Sequence, residues 1–102
     1  MMTMSGQPQH LDFNHPDFLH SIKRREQSHW AQLYERMQAE LYAFFCKKLP
    51  SCDAREIDDC IIEVFSRAYV DIQTFQGTSG LKSWLMHFAS YVARDTLRAV
   101  PQ

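Results

Sequence analysis

The most regular pattern in the chain lies between residues 57 and 72. Ile57, Cys60, Ile61, Val64, Phe65, Ala68, Tyr69 and Ile72 step by three and one without a miss, which places them on one stripe of an α-helix. Asp53 precedes the run and Glu56 comes three residues after it, a capping-box pair that predicts where this helix starts. Upstream, Trp30, Leu33, Tyr34, Met37, Leu41, Phe44, Phe45 and Leu49 repeat with helical period and never with period two. They predict a long helix from a Ser28 cap to about Leu49, where Leu49-Pro50-Ser51 stops it. Downstream, Leu81, Trp84, Leu85, Phe88, Ala89 and Val92 form a third stripe. It predicts a last helix from Leu81 to about Val100, capped by Thr78 or Ser79 and ended by Pro101.

A shorter helix is predicted from Pro16 to about Glu26. Pro16 suits a first turn, Asp17 its positive end, and Lys23-Arg24-Arg25 its negative end. Phe18, Leu19 and Ile22 are its small apolar face. Residues 1–15 show no pattern and read as a flexible leader, so the folded domain is expected over 16–100. The predicted fold class is all-α, a compact bundle of four helices with a short first helix and three longer ones. Its expected core is Trp30, Leu33, Met37, Leu41, Phe44, Ile57, Ile61, Val64, Phe65, Ala68, Leu81, Trp84, Leu85 and Phe88.

Length and composition agree with this. The 102 residues suffice for one domain, and 3 Gly and 4 Pro leave few breaks. A net charge of −1 is too weak to hold duplex DNA by charge alone, so any nucleic-acid contact must be local, base-directed or assisted by a partner. No apolar run approaches the roughly 20 residues of a membrane span, and the N-terminus lacks the apolar stretch of a signal peptide. A cytoplasmic protein is expected.

Catalytic and metal chemistry find no support. Asp58 and Asp59 are adjacent and diverge on a helix, so they form no carboxylate dyad. Cys60 lies on the buried stripe, a poor position for a nucleophile. Cys46, Cys52 and Cys60 are spaced as neither a disulfide framework nor a zinc site. His10, His15 and His20 are five apart and share no helix face. No enzyme, metal or cofactor is expected.

Two other features carry more. The helix from Asp53 to Glu63 is acidic on its outer side, with Asp58, Asp59 and Glu63 near Arg55 and Ser66, and Ile62 stands among them as an isolated aliphatic residue. Such a face is either a solvated helix start or a docking surface. The glycine-containing segment Phe75-Gln76-Gly77-Thr78-Ser79-Gly80 then leads into a helix bearing Lys82, Arg94 and Arg98. An aromatic beside dispersed cations can hold an unstacked base and its phosphates.

The run from Asp58 to Tyr69 resembles A-E-D-L-V-Q-E-V-F-L-R-A-W, a run of the extracytoplasmic-function sigma factors. Phe75-Gln76-Gly77, with Leu81 to Leu85, resembles that family's F-x-G and F-x-x-W-L. Ala89, Asp95, Leu97 and Arg98 fall where the family has I-A-x-N-x-x-x-D-x-L-R. The ordered set covers roughly Asp17 to Arg98 and resembles the family's second conserved region. The resemblance implies that Asp58, Asp59, Ile62 and Glu63, with Arg55 and Ser66 beside them, dock on the clamp helices of the β′ subunit of core RNA polymerase. It implies that Phe75, Gln76, Thr78 and Ser79 capture a base of the promoter minus-ten element as single-stranded DNA. Lys82, Tyr91, Arg94 and Arg98 would contact the same strand. Ile62 stands where the family has glutamine and Tyr91 where it has asparagine. The family's second DNA-reading domain has no counterpart in these residues. An alternative reading is a stand-alone sigma-like interaction module that engages an anti-sigma factor and binds no DNA. The gene downstream of the Gln102 codon discriminates the two: a helix-turn-helix domain there favours the sigma factor, and a stop codon favours the module.

Overall fold

In the computed structural model, which describes residues 12–99, the chain runs through α1 (Pro16–Lys23), α2 (Gln27–Lys48), α3 (Ala54–Asp71) and α4 (Leu81–Ala99). A 3-10 turn over Ile72–Thr74 extends α3, and no strand occurs among the described residues. The fold is all-α, as the three stripes predict. α3 lies centrally, packed against α4 on one side and α2 on the other, while α1 leans on α2 and the 3-10 turn.

The stripe of α3 is buried as read except at Tyr69, which is only partly buried. Ile57, Cys60, Ile61, Val64, Phe65 and Ala68 all face inward. They meet Trp30, Leu33, Met37, Leu41 and Phe45 of α2 and Leu81, Leu85, Ala89, Val92 and Ala93 of α4. Full burial of one such large side chain contributes about 1.5–3 kcal/mol. Among the described residues no polar or charged side chain is buried, so the core carries no desolvation cost of that kind. The Asp53–Glu56 capping box is present, with both hydrogen bonds at 2.9 Å.

Several expected details differ. Phe44, Trp84 and Phe88 are only partly buried at the margin, and Phe45 takes the central place on α2. The two phenylalanines are one helical step apart, about 100°, and only tertiary packing chooses between them. α2 starts at Gln27 from an N-cap at Glu26 without a side-chain cap. Ser28 is therefore inside the helix rather than its cap. α1 ends at Lys23, earlier than Glu26. Its capping side chain is His15, whose Nδ1 accepts from the Asp17 amide at 3.1 Å.

The early end of α1 has a physical cause in Arg25. This residue has φ 59°, a left-handed conformation that a non-glycine residue adopts at a cost. Its side chain crosses to the end of α3, where Nε donates to the Tyr69 carbonyl and a terminal nitrogen to the Val70 carbonyl, each at 3.2 Å. The guanidinium also lies 5.3 Å from the Tyr69 ring centroid. Gln73 donates to the Lys23 carbonyl at 2.7 Å, and the Trp30 indole donates to the Ile22 carbonyl at 3.0 Å. Arg25 thus ties the α1–α2 corner to the C-terminal end of α3.

The start of α4 differs too. Neither Thr78 nor Ser79 caps it. The Leu81 amide donates to Asn14 Oδ1 at 3.0 Å. Phe13 packs against the core, with its ring 5.6 Å from Phe18. Phe13 and Asn14, both within the expected leader, are therefore attached to the fold. Residues 1–11 of that leader and the predicted helix end at Val100 lie outside the described residues.

Candidate partner and nucleic-acid interfaces

The outer side of α3 is a consequence of its inner stripe: once one face is buried, the residues between are presented outward. Arg55, Asp58, Asp59, Ile62, Glu63 and Ser66 are all exposed, so the structure brings the six expected docking residues onto one helix. Ile62 is 53% exposed, and two turns on Val70 is 70% exposed. With Ser66 between them they continue one line along α3, at i, i+4 and i+8.

That line borders an open groove of about 530 Å³ between α2 and α3. Trp30, Ala31 and Tyr34 form its α2 wall and Ile62, Phe65 and Val70 its α3 wall. The Tyr34 and Phe65 rings are 5.0 Å apart, and the Trp30 and Tyr69 rings 5.1 Å. The outer side of α3 is thus an apolar groove beside an acidic edge. The α2 wall and Val70 are functional candidates that the residue pattern did not single out. Val70 had a signal, because like Ile62 it is aliphatic and off the buried stripe.

The acids of this edge are not equivalent. Asp58 and Asp59 have no ion pair among the described residues. Glu63 Oε2 accepts from Arg67 Nε at 2.8 Å, and the same guanidinium reaches Asp95 of α4 at 3.1 Å. The hydrogen bond to Glu63 pushes the Arg67 pKa above its ordinary value, against the opposing effect of partial burial, and Asp95 adds to the rise. Arg67 therefore joins α3 to α4. The Glu63–Arg67 half was readable as an i, i+4 pair, but Asp95 was not.

The loop and α4 require corrections. Phe75 is 3% exposed and packs 5.3 Å from the Trp84 ring. It is a core residue, so the expectation that its ring forms an open wall for a base is overturned. The cause is the 3-10 turn, which carries the chain back over the bundle and turns Phe75 inward. Gln76, Thr78 and Ser79 are exposed as expected. Gly77 and Gly80 have φ of 81° and 80°, values that suit glycine. A Cβ on Gly80 would also meet Asn14 Oδ1 at 3.4 Å.

Of the expected cations, Lys82 is engaged by Glu40 of α2 at 3.1 Å, so its charge is partly neutralised. Arg98 is exposed in the last turn of α4. Arg94 lies over the Tyr91 ring at 5.3 Å from its centroid, and Tyr91 is 52% exposed. Among the described residues no cluster of three metal-ligating side chains occurs, and no helix is long and apolar enough to cross a membrane.

No family model matches the chain. It is 33% identical over 66 residues to the ECF RNA polymerase sigma factor SigX of Bacillus subtilis (strain 168), a match covering 65% of this chain. The match takes in 33% of that relative, about a third of its length. The fold is similar to an engineered region 2 of sigmaE solved by NMR in complex with GTAAAA, with a TM-score of 0.74 and 20% identity. That similarity covers 91% of this chain and 93% of the other. The chain is thus similar in sequence to part of an ECF RNA polymerase sigma factor and has the helical fold of a sigma region 2.

Proposed function

We propose that this domain acts in transcription initiation by docking on core RNA polymerase and reading the promoter minus-ten element as single-stranded DNA. The observation that carries the docking half is the outer face of α3. Asp58 and Asp59 are exposed with no ion pair among the described residues, and Ile62 stands open beside an apolar groove. A helix presenting free acids next to apolar surface suits a basic, amphipathic partner. The β′ clamp helices are that partner, with Arg55, Glu63 and Ser66 at the edge of the contact.

The DNA-reading half is supported by the solved structure of similar fold, an engineered region 2 of sigmaE in complex with GTAAAA. Gln76, Thr78 and Ser79 of the loop offer hydrogen-bonding groups, and Tyr91, Arg94 and Arg98 lie along α4. A net charge of −1 makes binding by the isolated domain weak and strongly salt-dependent, so polymerase supplies much of the affinity. The role is binding rather than catalysis, and it is carried out in the cytoplasm. The test is a pull-down with core polymerase, with and without a labelled minus-ten strand. Retention of both is the expected result.

One observation favours a second reading. Phe75 is buried and Lys82 is paired with Glu40, which closes one of the expected DNA contacts and weakens another, while the α2–α3 groove stays open beside the acidic edge. A sigma-like module that engages an anti-sigma factor without binding DNA would need only that groove. Retention of polymerase or of an anti-sigma factor with no strand bound under any salt condition would select it.

A further inference from the structure

We propose that an unstacked base of single-stranded DNA is held on Tyr91, in the groove between α3 and α4, and not on Phe75 in the loop. This rests on the DNA-reading half of the proposed function and gives that reading a different site.

A base out of its stack needs a flat apolar surface that it can reach. Phe75 is 3% exposed and closed off against Trp84. The described aromatic that is both open and paired with a cation on α4 is Tyr91, which is 52% exposed with the Arg94 guanidinium 5.3 Å from its ring centroid. A guanidinium over one face fixes the ring and adds positive charge beside the site where a phosphate would lie. Arg98 comes at i+7 from Tyr91, on the same side of the helix.

Tyr91 also stands at the edge of a built recess. A groove of about 550 Å³ is lined by Ser66, Val70 and Asp71 from the α3 side and by Phe88 and Tyr91 from α4. Val70 and Phe88 supply apolar contact. Ser66 can donate or accept, while ionised Asp71 can only accept. An acceptor at the groove can take a hydrogen bond from a base's amino group or ring N–H, so it can engage the donor edge of an unpaired base.

Charge is the obvious objection, since carboxylates repel a polyanion. Arg67 answers part of it. Its guanidinium is shared by Glu63, which lines the groove, and Asp95, which lies on α4 between Arg94 and Arg98. These two acids are therefore partly neutralised, and with Asp71 counted the three acids are balanced by Arg67, Arg94 and Arg98, so that side of the helix carries no net negative charge.

The test uses the full chain with core polymerase and a short single strand carrying 2-aminopurine at successive minus-ten positions. Stacking of the probe on Tyr91 quenches its fluorescence at one position. Tyr91→Ala is expected to abolish that quench and weaken strand binding by about 5- to 150-fold. Tyr91→Phe keeps both within about threefold, because the ring and not the hydroxyl does the stacking. Polymerase binding and helicity stay unchanged in both variants. Wild-type strand affinity and an intact quench in Tyr91→Ala, with loss of both in Gln76→Ala/Thr78→Ala, would overturn this inference and leave base reading in the loop. If wild-type protein with polymerase bound no strand, both this inference and the DNA-reading half of the proposed function would fall.

Discussion

The side-chain oxygen of Asn14 accepts a hydrogen bond from the Leu81 amide at 3.0 Å, so α4 is capped by a residue from before α1. Gly80 allows this approach, since it has φ 80° and Asn14 lies where its Cβ would point. Asn14→Ala is expected to cost about 1 kcal/mol, the usual loss for a removed cap. Asn14→Asp keeps the acceptor and should stay close to wild type. Urea unfolding midpoints of the two variants decide this, and equal midpoints would show that the bond contributes nothing.

Phe65 sits at the centre of the α3 stripe and touches Tyr34 across the groove, with ring centroids 5.0 Å apart. Phe65→Ala should cost about 3–5 kcal/mol, a large share of the stability of a domain this size. Thermal melting measures it. A variant that melts within a few degrees of wild type would contradict the burial.

Asp58 and Asp59 point away from the bundle and carry no ion pair among the described residues. Asp58→Lys/Asp59→Lys should weaken polymerase retention at least tenfold, about 1.4 kcal/mol, while changing stability by about 0.5 kcal/mol or less. Glu63→Lys would be a poor test, because it also breaks the bond to Arg67. Retention assays beside circular dichroism separate the two effects.

Arg25 combines a left-handed backbone with two hydrogen bonds to the end of α3. Arg25→Ala loses the bonds and keeps the strain, whereas Arg25→Gly loses the bonds and relieves it. The glycine variant should therefore be the more stable of the two, by about 1 kcal/mol. The reverse order in chemical denaturation would mean that the backbone strain is negligible.

Burial, and after it the Glu56 carboxylate, pushes the Cys52 thiol above its ordinary value of 9.0. The folded state therefore favours the protonated thiol more than the unfolded chain does. Its contribution is full below the unfolded value and is lost as pH rises through the folded one. Stability should therefore fall as pH rises past the thiol's ordinary value of 9.0, and Cys52→Ala should flatten part of that fall. Urea midpoints across the range test this, and an unchanged slope in the variant would assign the fall to other groups.

Local, periodic features were legible in the chain alone. The α3 stripe, its capping box and the outward set Asp58, Asp59, Ile62 and Glu63 come from one rule, because burying one side of a helix presents the other. The same rule applied to α2 and α4 was enough for the fold class. Packing settled everything that joins residues distant in the chain: the Asn14 cap on α4, the Arg25 tie to α3, the Arg67–Asp95 bridge and the groove between α2 and α3. It also settled Phe75. A single aromatic in a loop has no period to show which way it faces, and here the 3-10 turn points it into the core. Periodicity reports the side of an element that is buried; only packing reports which elements meet, and binding surfaces are made where they do.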